Sequence, residues 1–203
     1  MKPVCCGLIA LLLATPLLAG EVFEHPQTPQ QAQAFLHAAM PDLGQVQVLR
    51  GRYVQRKFLR EIPRPLTSSG EFLLIRDRGI WWHTQVPLDA ELMWRRDSGP
   101  ASAMDIAAST FFALFALEVD ALARRFELFG IGPEAPASPW QLGLRPRDAA
   151  LADWLTQITL AGAGQLQQVN LLEATGDRTE IDIIAEAQPL SSLTPSDRLR
   201  FGP

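Results

Sequence analysis

The sequence predicts an α+β domain built on a strongly curved antiparallel sheet. Three observations lead there. Residues 45–95 alternate polar and apolar side chains in four runs separated by turn residues. The last third of the chain repeats that pattern around glycine turns, and a helix-length apolar stretch, 106–117, lies between the two halves. Together they amount to eight or nine strands and two or three helices in one domain.

The first twenty residues stand apart from that domain. Lys2 gives a positive start, residues 4–18 are apolar but for Gly7, Thr15 and Pro16, and Ala19-Gly20 offers small side chains for cleavage. The apolar run is shorter than the roughly 20 residues a membrane-spanning helix needs. A secretory signal cleaved at 19/20 or 20/21 is expected, with an uncleaved anchor as the alternative; residues 21–203 then form the domain. Cys5 and Cys6, the only cysteines, lie at the start of the run, whereas a lipid-modified cysteine would stand at its far end. The exported chain then carries no thiol and depends on its apolar core. A soluble periplasmic protein is the expectation.

Thr28 is a natural N-cap, Pro29 suits the first helical position and Gln31 completes a Thr-x-x-Gln capping box. Ala32, Phe35, Leu36 and Ala39 form one apolar stripe, and Pro41 ends the helix. Val46 and Val48 alternate with Gln45 and Gln47, and Gly51 is read as a bulge before a strand over 53–59. Pro63, Pro65 and Ser68-Ser69-Gly70 are read as the next turn. Phe72, Leu74 and Arg76 then share one strand face, with Glu71, Leu73 and Ile75 on the other. Asp77-Arg78-Gly79 turns the chain into a strand over 80–86. Beyond Pro87, Leu88, Ala90, Leu92 and Trp94 alternate with Asp89, Glu91 and Met93. Such a meander has one wet face and one dry face.

Ser102, with Asp105, can cap the apolar helix 106–117, which is too short to span a bilayer. Two readings stay open for it. It is either a core helix buried on every side or an inner lid whose Phe111, Phe112 and Phe115 face a ligand cavity. Residues 118–125 continue as a more amphipathic helix with Val119 and Leu122 inward. Strands are expected at 126–129 and 140–144, a loop at 130–139 and a helical turn at 148–154. A closing meander covers 155–160, 166–173 and 178–185, turned at Gly162/Gly164 and Gly176-Asp177. The tail from Gln188 reads as surface turns, with Leu199 or Phe201 pinning a final strand.

The chemistry is mostly one of exclusions. With 18 basic against 22 acidic side chains the net charge is −4, which gives no polycationic footprint for nucleic acid. No Gly-Lys-Ser/Thr occurs, so there is no phosphate loop and no ATP site. His25, His37 and His83 are scattered without metal-ligand spacing, and no metal or cofactor is expected. There is no G-x-S-x-G elbow. His83, or carboxylates from Glu71, Asp77, Asp89 and Glu91, would have to serve a hydrolase, which stays as the alternative beside a binder of small apolar ligands. The unusual feature is the apolar load on one sheet face, where Phe72, Leu74, Trp82, Leu92 and Trp94 lie below Phe111, Phe112 and Phe115. That supports a curved-sheet domain able to enclose an apolar ligand.

Several residues carry a family resemblance. Ser69-Gly70-Glu71-Phe72-Leu73-Leu74-Ile75-Arg76, then Ile80-Trp81-Trp82-His83 and Pro87, resembles the periplasmic lipoprotein carriers of the LolA family. Tyr53-Val54-Gln55 is similar to that family's first-strand Phe-x-Gln. Ile158-x-Leu160-x-Gly162, Val169-x-Leu171-x-Glu173, Gly176-Asp177 and Thr179-x-Ile181 are similar to its closing meander. The resemblance covers roughly residues 28–187. It implies an unclosed β-barrel with helices covering the concave face, an inner surface that takes acyl chains, and no catalysis. By position Arg76 matches the arginine that latches the lid, and Trp82 the inward tryptophan. The implied cargo is a lipoprotein or another lipid-tailed molecule. A monomer would receive it from an inner-membrane donor and pass it to an outer-membrane acceptor. Two departures bear on cargo and docking: Asp77 stands where Pro usually follows the arginine, and Arg95-Arg96-Asp97-Ser98-Gly99-Pro100 replaces the family's Asp-Gly-x-x-Leu-Trp-x-Tyr strand. The membrane-anchored relative LolB would need a lipobox cysteine that this chain lacks.

Overall fold

Alternation along the strands sets the architecture, because each strand sends one set of side chains to a shared interior. The computed structural model describes residues 20–96 and 103–201, with side chains between 103 and 107 not described. The expected signal peptide with Cys5 and Cys6, the stretch 97–100, and the Ser102–Asp105 cap therefore lie outside the described residues.

The strands are β1 (Pro26–Gln27), β2 (Val48–Phe58), β3 (Leu66–Ile75), β4 (Gly79–Val86), β5 (Ala90–Arg95), β6 (Phe126–Ile131), β7 (Pro139–Pro146), β8 (Leu155–Ala163), β9 (Leu166–Glu173) and β10 (Arg178–Gln188). They form one antiparallel sheet in the order β1-β6-β7-β8-β9-β10-β2-β3-β4-β5. Its two ends, β1 and β5, do not pair with each other, so the barrel is unclosed. The ten strands exceed the expected eight or nine, since the two-residue β1 carries too little sequence to show a period.

Helices α1 (Pro29–Ala39), α2 (Ala103–Ala116) and α3 (Val119–Ala123) cover the concave face, and a single turn, α4 (Ala149–Ala152), joins β7 to β8. The predicted capping box of α1 is present. The Gln31 backbone N–H donates to Thr28 Oγ1 at 3.2 Å, and the Thr28 N–H donates to Gln31 Oε1 at 2.8 Å. Ala32, Leu36 and Ala39 are buried, as the stripe requires. Helix α2 packs its described apolar side chains into one interior cluster with Phe72, Leu74, Ile80 and Trp82 of the sheet. Among the described residues no helix is long and apolar enough to cross a membrane.

Four expectations need correction. Gly51 is no bulge: β2 pairs in unbroken register with β3 and β10, Gly51 facing Phe72 and Ala185. A Cβ there would fall 2.7 Å from Phe72 Cε1 and 2.5 Å from Ile184 O, so close approach explains the glycine. Ser68-Ser69-Gly70 belong to β3, and the turn is made upstream. Gly79, by contrast, does turn the chain, at φ +148°, a conformation open to glycine.

The third correction concerns the wet face. Leu73, Ile75, Trp81 and Val48 form a second apolar cluster on the convex side, sealed by Leu193 and Phe201. The tail is not a strand. It contains a short helix α5 (Pro195–Phe201), with Phe201 buried and Leu199 exposed. Asp197, 2% exposed, anchors it: the carboxylate accepts from Thr194 N–H (2.9 Å), Thr194 Oγ1 (2.8 Å) and Arg50 Nη2 (2.6 Å). Arg200 lies 4.0 Å over the Trp81 ring. Burial would raise the Asp197 carboxyl, but the Thr194 and Arg50 hydrogen bonds outweigh it and hold the group below its ordinary range. A depressed carboxylate contributes stability above its unfolded value, about 3.9, that is lost as pH falls through the folded value. Asp197→Ala is expected to cost about 2–3 kcal/mol at pH 7, after discounting for the partly exposed Arg50. Urea midpoints should show that gap shrinking as the pH is taken below 4 (about the unfolded value).

Candidate functional site

Arg76 stands immediately after β3, on the face that carries Phe72 and Leu74, where the end of α2 and the α1–β2 connection come down on the sheet. Its guanidinium donates from Nε to Val46 O (3.0 Å), from Nη1 to Ala116 O (3.1 Å) and from Nη2 to Leu43 O (3.1 Å). One side chain thus joins the sheet to the last residue of α2 and to two points of the loop after α1. The planar fork of arginine is suited to three such acceptors, as a lysine point charge is not. Burial lowers the Arg76 pKa from its ordinary value, and the Glu118 carboxylate works against that shift. The cation is held by neutral carbonyls, and a charged neighbour compensates it from a distance.

A second arginine, absent from the sequence reading of the site, extends the fastening. Arg96, just past β5, donates through Nε (3.2 Å) and Nη2 (3.0 Å) to Arg76 O. It also pairs with Glu118 between α2 and α3, and its guanidinium lies 4.8 Å over the Phe112 ring. Between those helices Leu117 adopts φ +52°, a left-handed conformation that costs a non-glycine residue about 1–2 kcal/mol. The Glu118 N–H bond to Ala113 O (2.9 Å) closes the helix end around it.

The proposed lining residues divide into two groups. Tyr53 and Trp82 stack at 3.8 Å between centroids, and Phe72 stacks on Trp82 at 5.6 Å. Phe111 and Phe115 meet Trp82 edge-on at 4.9 and 5.1 Å, and Phe112 meets Trp94 at 4.8 Å. The aromatic half of the interior is therefore filled by the protein's own rings. Leu92 shares that face but is 38% exposed at the outer edge. Leu74, Arg76 and Phe115, in contrast, line an apolar cavity of about 260 Å³ with Met40, Leu49, Leu166 and Ala185. Tyr53 had no site role in the sequence reading. Its alternation with the exposed Val54 puts it inward, and its hydroxyl shares a 2.6 Å hydrogen bond with Thr84 Oγ1.

A wider cleft of about 770 Å³ lies beside that cavity, its mixed lining including Gln30, Gln33 and His37 of α1 and Glu118, Asp120 and Arg124 around α3. Leu43, Arg76 and Leu117 border both spaces.

The groups considered for hydrolysis lie elsewhere. His83 is on the convex face beside Trp81, with Nε2 sharing a 2.7 Å hydrogen bond with Asp89 Oδ1 and Nδ1 3.6 Å from Glu71 Oε1. Asp77 sits in the β3–β4 turn. The Asp89 hydrogen bond raises the His83 pKa above the ordinary 6.5. Stability from this pair is present below the unfolded value and is lost as pH rises through the folded one. An NMR titration should place the His83 midpoint above that of a free imidazole, and Asp89→Asn should bring it down. Among the described residues no group of three or more His, Cys, Asp or Glu is placed to hold a metal ion.

No family model matches the chain, and no curated protein matches it. Among solved structures, a chain of the Pseudomonas aeruginosa MucA/MucB complex matches 82% of this chain at 14% identity with a TM-score of 0.41, and the match spans 62% of that chain's length. A LolA superfamily protein from Nitrosomonas europaea matches 87% of this chain and 98% of its own at 10% identity, TM-score 0.34. A DUF1329 family protein from Desulfovibrio piger matches 81% and 95% at 12% identity, TM-score 0.32.

Proposed function

We propose that this chain is a divergent LolA-like carrier that shields the acyl portion of a lipid-tailed molecule and releases it to an acceptor. The observation that carries the reading is the Arg76 guanidinium, bound to three backbone carbonyls at the rim of an apolar cavity. An arginine in that place is costly unless hydrogen-bonded, and its acceptors belong to the very segments that cover the cavity. It favours a closed, empty state that cargo must open. The order of motifs from Ser69 to Pro87, with Arg76 at the latch position, supports the same reading.

Each methylene withdrawn from water contributes about 0.8 kcal/mol, so a long acyl chain does not cross an aqueous compartment unaided. The sequence holds no ATP motif, so transfer runs downhill between donor and acceptor. The apolar leader supports a periplasmic setting, in which the donor would sit at the inner membrane and the acceptor at the outer one. Native mass spectrometry of protein extracted from its own cells tests the reading. An intact mass starting at Gly20 or Glu21 with a co-purifying lipid mass is expected. A diacylglycerol-bearing amino terminus would make it a membrane-anchored receptor. A lipid-free protein with esterase or peptidase turnover lost in His83→Ala would make it a hydrolase.

A further inference from the structure

We infer that Arg96 and Glu118 form an ionic catch that must open, together with the Arg76 bonds, before the covering helices lift. The inference rests on the carrier reading above and adds what regulates the site, the strength of one ion pair. It comes from where the two arginines take hold.

Both grip one corner of three residues. Arg76 Nη1 donates to Ala116 O at 3.1 Å, and Arg96 pairs with the Glu118 side chain. Leu117 stands between them at φ +52°, a conformation that persists only while its neighbours are held. Glu118 belongs to both helices that meet there. Its N–H donates to Ala113 O of α2 at 2.9 Å, and its C=O accepts from Leu122 N–H of α3 at 3.0 Å. A hold on Glu118 is therefore a hold on the end of α2 and the start of α3.

Arg96 fastens that corner to the free end of the sheet. It follows β5, the last strand in the sheet order, which pairs with β4. Its Nε and Nη2 donate to Arg76 O at 3.2 and 3.0 Å, and its backbone N–H donates to Arg78 O at 2.8 Å. Arg96 is thus a positioning residue for Arg76, and through it for the bonds to Leu43, Val46 and Ala116.

One carboxylate serves both cations. Glu118 favours the charged form of Arg76, while Arg96 disfavours it. Arg124 and Arg125 border the same seam between β5 and α3, and Glu118 is the one acid among its described lining residues. Neutralising Glu118 leaves these guanidiniums with no anion between them. The pair is also open to solvent ions, with Arg96 40% and Glu118 23% exposed. Arg76, in contrast, bonds to neutral carbonyls, an interaction that salt screens far less. The catch is the part of the fastening that its ionic surroundings loosen.

The test uses the delipidated mature protein and an uncharged apolar dye, N-phenyl-1-naphthylamine. Native affinity should rise about two- to fivefold between about 20 and 300 mM sodium chloride, the worth of one part-exposed ion pair. Glu118→Gln keeps the backbone bonds of the corner. It should bind at low salt as tightly as the native protein does at high salt, with little further response. Arg96→Lys keeps the ion pair but loses the fork onto Arg76 O, so it should bind more tightly throughout and still respond to salt. The lysine variant also decides the matter if the glutamine one does not fold, since native-like affinity would then overturn the catch. Hydrogen exchange of the empty protein reads the corner without a ligand. Amides over 113–122 should exchange faster in Glu118→Gln while β3 and β4 keep their protection. An equal salt response in the native protein and Glu118→Gln, with unchanged exchange, overturns the catch and leaves the carrier standing, whatever urea shows of stability. No dye binding in any folded variant, with faster exchange at the corner, overturns the carrier reading and leaves the catch.

Discussion

Replacing Arg76 by leucine is expected to tighten retention of a long-chain acyl probe by about tenfold or more and to slow its release in proportion. The three guanidinium bonds exist only while the α1–β2 connection and the end of α2 sit down on the sheet. A hydrogen bond to a charged group contributes about 1.5–3 kcal/mol, and because these three share one cation their sum is not additive. A closed-state bias of about that size for the whole latch is the conservative figure. Cargo that must break it binds more weakly by the same amount, which is what a protein that hands its cargo on requires. Leucine removes the bias and adds apolar lining, so loading survives while unloading suffers. The empty protein should also lose about 1–3 kcal/mol of stability, since three carbonyls lose their donor. Stopped-flow displacement of a fluorescent fatty acid measures the effect. An unchanged off-rate, or weaker binding in a well-folded variant, would mean that Arg76 only pins the loop after α1.

Trp82→Ala should carry a large stability cost, about 3–5 kcal/mol. The indole is 7% exposed and touches Tyr53, Phe72, Phe111 and Phe115, rings contributed by both layers. For a domain of this size that loss lowers the melting temperature by roughly 10 °C. Rings in close contact with neighbours from two layers relax little, so much of the indole's volume remains as a void. The variant should therefore gain affinity for a small apolar probe as it loses stability. Urea unfolding together with a benzene-sized probe titration separates the two effects. A loss below about 2 kcal/mol with no gain in probe binding would show that the neighbouring rings collapse into the space.

Much of this was legible because period and capping are local. The α1 capping box depends on residues three apart, and the β3 and β4 faces follow from alternation, so Phe72, Leu74 and Trp82 could be placed inward from sequence alone. Two things were not local. Leu73, Ile75 and Trp81 make the second face of those strands apolar too, a sign that something covers it. The cover is α5, a helix too short for a periodic signal, and its anchor is the contact of Asp197 with the distant Arg50. Likewise the aromatic residues were read as cavity lining because composition shows which side chains face inward, not which touch. The open chamber is lined instead by small and aliphatic residues such as Leu49, Leu166 and Ala185, which carry no distinctive pattern. Leu117 and Arg96 act through a backbone angle and a turn-end position. No spacing rule would have singled them out.

The pairing of β2 with β10 has a consequence for how the chain reaches this state. Each half of the sheet is built from neighbours in sequence, β2 to β5 and β6 to β10, apart from the short β1. Within the sheet the halves join along one ladder, which runs from Val48 opposite Gln188 to Phe58 opposite Arg178. That ladder brings together segments from opposite ends of the domain, and its loop-closure entropy is paid late. A chain made from its amino terminus forms the β2–β5 meander first, and β2 then waits with 11 residues of unpaired backbone along one edge. Such an edge is a template for aggregation until β10 arrives. Arg50, Arg52, Arg56 and Lys57 along β2 keep that waiting edge charged. The faster β10 zips onto it, the shorter the time that edge stands open to another chain.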